Sequence, residues 1–138
     1  MTFASLVRVF CLGAAGASIV LGLAALNLAR PLAADEELPA DVNKPEIISE
    51  GRKVFAQTCG NFECHNFYGG GGLVPDARKI NDGQWYHIGG KYEEIVAILT
   101  NGIPGTPMIS WTNKLGPERI KAVSAYVFLL SRGLAPKN

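Results

Sequence analysis

The 138-residue chain has no basic stripe: lysine and arginine are scattered and the net charge is +1, so nothing marks a nucleic-acid partner. No internal repeat, strand-like alternation or coiled-coil heptad runs through it, which leaves an all-α domain with long loops. The four consecutive glycines Gly69–Gly72 follow no strand and lack the lysine and Ser/Thr of a phosphate-binding loop, so nucleotide binding is discounted. Glycine itself is abundant, at 16 residues, so much of the fold is loop. A small loop-rich domain needs a metal or cofactor to supplement its core.

The N-terminus separates from the rest by composition. Val9 to Ala29 is a run of 21 residues without a charge, which as a helix reaches about 31 Å and crosses a bilayer core. The run exceeds the ~7–15 apolar residues usual in a signal peptide, which predicts a retained membrane anchor over residues 1–30 rather than a cleaved leader. Small residues Gly13, Gly16, Ala17 and Gly22 suit close packing on a partner's membrane helices, or simply a small-residue-rich signal, and Cys11 reads as a small apolar residue. Residues 31–45 read as an acidic, Pro-containing linker, and residues 46–138 as the domain.

The chemistry concentrates in Cys59-Gly60-Asn61-Phe62-Glu63-Cys64-His65. Two thiols that can add to haem vinyl groups, with an imidazole directly after the second, are the ingredients of the C-x-x-C-H attachment signature, here spaced C-x4-C-H. A neutral imidazole suits iron, and a second ligand is offered by Met108, on a Gly- and Pro-rich loop from Gly102 to Trp111. Competing readings of the same residues are a disulfide between Cys59 and Cys64, and a zinc site from Cys59, Cys64, His65 and His87. The adjacency of Cys64 and His65, with no second close-spaced ligand pair, weighs against zinc. Trp85, Tyr86 and His87 lie between glycines, where aromatic rings with polar handles pack either on a cofactor or in the core.

Three helices are expected around these loops. The first opens at Pro45 and runs into Cys59, with Ile47, Ile48, Gly51, Val54 and Phe55 on one face. The second covers Lys91 to Asn101 and stops at Gly102. The third opens at Pro117 and ends near Gly133, with Ile120, Val123, Tyr126, Val127 and Leu130 as its stripe. Gly51 predicts a close crossing of the first and third helices, with Phe55 meeting Tyr126.

Taken in order, the helix ending in Cys59…Cys64-His65, the Gly-rich loop with Pro75, the Pro107-Met108 element and the closing helix with Ala125-Tyr126-Val127 resemble a class I c-type cytochrome domain over Pro45 to Arg132. That resemblance implies one covalently attached haem c, with Cys59 and Cys64 as thioethers and His65 and Met108 as axial ligands. It also implies that the Pro75 carbonyl accepts the His65 ring proton, and that Trp85 and Trp111 lie near the haem propionates. Two arrangements accommodate the longer linker: an outward bulge at Gly60-Asn61, or a single thioether through Cys64 with Cys59 free. The expected function is electron transfer on the periplasmic side of a bacterial cytoplasmic membrane, as a shuttle or as a subunit serving a membrane oxidase or quinoprotein dehydrogenase. A haem peroxidase or ligand sensor, which needs a displaceable sixth ligand, and a disulfide- or zinc-stabilised interaction module are the rival classes.

Overall fold

A computed structural model describes residues 37–136. The expected anchor over Val9–Ala29 lies outside the described residues, and among those described no helix is long and apolar enough to cross a membrane. The described residues form three α-helices, α1 (Pro45–Val54), α2 (Tyr92–Asn101) and α3 (Pro117–Ser131), joined by long loops and without strands.

Helix α1 starts on Pro45 and carries Glu46 in its first turn and Arg52 and Lys53 in its last, each sign matched to the helix dipole. Its end widens into a π-helical turn, Phe55–Cys59, in which the Gly60 amide reaches back to the Phe55 carbonyl at 2.6 Å. Such single π turns often mark functional positions, and this one presents Cys59. Helix α2 is started by Glu94, whose carboxylate accepts from the amides of Lys91 (3.0 Å) and Gly89 (2.9 Å).

The crossing of α1 and α3 is as the sequence predicts. A side chain at Gly51 would run into the carbonyl of Ala122, so only glycine admits this approach. One turn further on, the rings of Phe55 and Tyr126 meet at 5.4 Å. Helix α3 departs from the expected single stripe: every residue from Ala122 to Phe128 is buried. It is the central helix, covered by α1 on one side and α2 on the other, and the small residues Ala122, Ser124 and Ala125 allow that cover to come close. Leu38 and Val42, from the stretch read as linker, are buried in the same core.

Candidate cofactor site

Between Cys59 and His65 the chain closes on itself. The His65 amide donates to the Cys59 carbonyl (3.1 Å), the Asn66 amide to that of Asn61 (2.8 Å), and the Asn61 side chain accepts from the Cys64 amide (2.7 Å). The residues between the cysteines thus form a hydrogen-bonded loop. Beneath it passes the glycine run, where a side chain on Gly72 would strike the carbonyls of Glu63 and Cys64. At Gly72 the run therefore lies flat against backbone, a need that glycine alone meets.

This loop forms part of a cavity of about 180 Å³ whose lining includes Cys59, Cys64, His65, Pro75, Trp85 and Met108. Phe55, Ile95, Leu99 and Val127 make its apolar floor from the π turn, α2 and α3. The His65 Nδ1 lies 3.2 Å from the Arg78 carbonyl oxygen. Because a carbonyl only accepts, this contact places the proton on Nδ1 and leaves Nε2 with its lone pair, the form a metal needs. Burial pushes the His65 ring below its usual basicity, and the Arg78 contact opposes that in part. Burial likewise raises the Cys59 thiol, offset by a 3.2 Å contact to the Thr58 hydroxyl and reinforced by nearby Cys64.

On the Met108 side, the loop is held by its own bonds. The Met108 amide donates to the Thr106 hydroxyl (3.2 Å), and the Ile103 amide donates to the Met108 carbonyl (2.8 Å). The loop is then hung on the end of α2, where the Trp111 amide meets the Leu99 carbonyl at 2.9 Å.

Two expected details come out differently. The acceptor for the His65 ring is Arg78 rather than Pro75, because the turn from Val74 to Ala77, with Asp76 at φ 66°, reverses the chain and brings the Arg78 carbonyl to the ring. Trp111 is half-buried beside the core and is not among the residues lining the cavity. Its indole Nε1 is buried and has no hydrogen-bond partner among the described residues. Backbone acceptors such as Arg78 leave no side-chain signature in a sequence. Thr106 was legible in principle, as a hydroxyl two residues before Met108.

The rival readings of the cysteine cluster lose ground. Cys59 and Cys64 are both free thiols, and His87, although it borders the cavity, is exposed. Among the described residues no three His, Cys, Asp or Glu side chains come together as a metal cluster. Two thiols, an imidazole with a free Nε2 and a thioether border one apolar cavity, a donor set that fits a haem.

Comparison with known proteins agrees. Residues 46–127 match the family described as cytochrome c oxidase, cbb3-type, subunit III. The chain belongs to this cytochrome c family. The cytochrome is 36% identical over 84 residues to the cbb3-type cytochrome c oxidase subunit FixP of Azorhizobium caulinodans, a match covering 61% of this chain and 27% of that protein. It is 32% identical over 83 residues to the FixP subunit of a Bradyrhizobium species, covering 60% of this chain and 27% of the relative. The cytochrome thus spans about a quarter of the length of these curated relatives. Among solved structures, a chain of the reducing HAO-like protein complex of Kuenenia stuttgartiensis shares the fold, with a TM-score of 0.56 at 19% identity over 63% of this chain and 44% of that one.

Proposed function

We propose that this cytochrome carries one haem c, joined covalently through Cys59 and Cys64 and ligated by His65 and Met108, and that it passes single electrons between protein partners. The observation that carries this reading is the convergence of those four side chains on one apolar cavity with the His65 Nε2 left unprotonated. When bound, the haem supplies one-electron redox chemistry at its iron. The chain does the rest: the Arg78 carbonyl fixes the His65 tautomer and ring orientation, Thr106 and Ile103 hold Met108 in its loop, and Phe55, Ile95 and Leu99 keep water from the floor. The hydrogen-bonded closure between Cys59 and His65 supports attachment through both thiols, the two additional residues being taken up by the loop.

Similarity to subunits of cbb3-type oxidases supports a place in a membrane respiratory complex, with Val9–Ala29 as a single-pass anchor and the domain on the periplasmic side. With His65 and Met108 both holding the haem iron, no site would remain for substrate, which favours an electron carrier over a peroxidase or ligand sensor. The test is a reduced-minus-oxidised visible spectrum and a midpoint potential for the wild type and Met108→Ala. Loss of the methionine is expected to lower the potential and alter the oxidised spectrum, since a thioether ligand raises the potential. An unchanged spectrum and potential would rule out ligation by Met108.

A further inference from the structure

Helix α2 ends without a cation: no lysine or arginine stands in its last turn to meet the carbonyls that a helix end leaves free. The methionine loop meets them instead. The Ile98 carbonyl accepts from the Gly102 amide (2.7 Å) and the Leu99 carbonyl from the Trp111 amide (2.9 Å). The Thr100 carbonyl accepts from two side chains at once, the Ser110 hydroxyl (2.5 Å) and the Thr112 hydroxyl (2.8 Å). The Thr112 amide in turn donates to the Ser110 Oγ at 3.4 Å.

The same contacts draw the loop into a narrow neck. Gly102 has φ 73°, and a side chain there would lie 2.8 Å from the Met108 carbonyl oxygen, the Ile109 carbonyl carbon and the Ser110 amide nitrogen, so the outgoing and returning chain touch. The bond from the Ile103 amide to the Met108 carbonyl lies in this neck too. Backbone movement of Met108 away from the cavity therefore requires the neck to open. Ser110 and Thr112 are both exposed, so their bonds to Thr100 compete with water and are of the kind that open locally while the core stays folded. Leu99, one residue before Thr100, is 4% exposed in that core, which makes the helix end a fixed post for the loop.

We propose that Ser110 and Thr112 are positioning residues for Met108: their hydroxyls latch the methionine loop to the Thr100 carbonyl, and the opening of this latch sets how fast Met108 yields its place to a small external ligand such as imidazole. This rests on the His65/Met108 reading above and adds which residues keep the methionine in place.

The test uses the full-length, haem-loaded, oxidised chain mixed with imidazole, with uptake followed in the visible spectrum. In the wild type the rate is expected to level off at high imidazole, where opening of the loop becomes limiting. The plateau should rise about tenfold in S110A/T112V and about threefold in Thr112→Val alone, which carries the same test should the double variant fail to fold. S110T/T112S keeps both hydroxyls and should stay within about twofold of wild type. Glu94→Ala loosens the opposite end of α2 and should also stay within about twofold, which separates a latch from general weakening of the helix. Amide exchange supplies a reading without added ligand: the Ile103 and Trp111 amides should exchange about tenfold faster in S110A/T112V, with those of α3 unchanged.

A wild-type plateau in both S110A/T112V and Thr112→Val, an equal rise in Glu94→Ala, or unchanged exchange at Ile103 and Trp111 would overturn the latch. Met108→Ala separates this failure from that of the reading beneath it, since its uptake should be faster than that of the wild type and show no plateau. A wild type that already takes up imidazole as Met108→Ala does would overturn ligation by Met108, and the latch with it.

Discussion

Where α1 crosses α3, glycine lies against backbone and the aromatic rings of Phe55 and Tyr126 are buried together, whereas from Gly60 to Gly90 the only buried residues are glycines and from Gly102 to Lys114 there are none. The helical crossing is held by excluded water and close contact, and the loops that surround the cavity by backbone and side-chain hydrogen bonds. The region that is densely packed is therefore not the region that carries most of the chemistry. Loops without a core of their own gain the most from a group that fills the space between them, which is how a cofactor comes to contribute to the fold of a small domain.

The contrast can be broken from the helical side first. Phe55→Ala removes a ring that is 1% exposed and should cost about 4 kcal/mol in chemical denaturation, enough to unfold a marginal domain. Gly51→Ala should cost about 3 kcal/mol, because the added carbon meets the Ala122 carbonyl and the helices must move apart. Gly51 lies away from the loops and Phe55 reaches them only at Gly60 and the cavity floor, so in both variants the loops should be lost together with the helices, in one cooperative transition.

From the loop side the effects are smaller and differently read. Thr106→Val removes the acceptor for the Met108 amide and should cost about 1 kcal/mol in stability, but its informative readout is the visible spectrum and potential, which a purely structural role would leave unmoved. Amide exchange should separate the two regions directly: without cofactor, the 60–90 loop should exchange far faster than α1 and α3, and loading should slow the loop most.

The gentlest probe is alkaline pH. Burial, with smaller contributions from Asp41, Glu93 and Glu118, pushes the Tyr92 hydroxyl up to about 12 from its usual 10.0. The unfolded chain loses this proton first, so the stability from neutral Tyr92 is fully present below pH 10 and falls as pH rises toward about 12. Tyr92→Phe should flatten that fall in a series of denaturation curves.

How much of this was legible follows the same division. The helices were readable because α1 and α3 announce themselves with Pro45 and Pro117, and the crossing because Gly51 interrupts an apolar face that Phe55 continues. The four cavity donors were legible because Cys, His and Met carry their chemistry in their side chains. The second acidic-linker half was misleading only in part: Leu38 and Val42 enter the core from a stretch too short to show a period. What was not legible is what backbone does. The π turn that presents Cys59, and the Arg78 carbonyl in place of that of Pro75, depend on backbone geometry at Phe55–Cys59 and on the left-handed φ of Asp76 (66°), which an Asp tolerates better than most residues but does not announce. The position of Trp111 against the core rather than in the cavity lining goes with its backbone bond to Leu99.

Everything functional rests on a haem bonded to the cysteine loop, and the most direct check is the intact mass of the matured protein together with haem staining after denaturing electrophoresis. The account predicts a pigmented band and a mass increased by one haem in the wild type, with the pigment no longer retained when Cys59 and Cys64 are both replaced by Ala. A wild-type chain that runs colourless at its unmodified mass would contradict it.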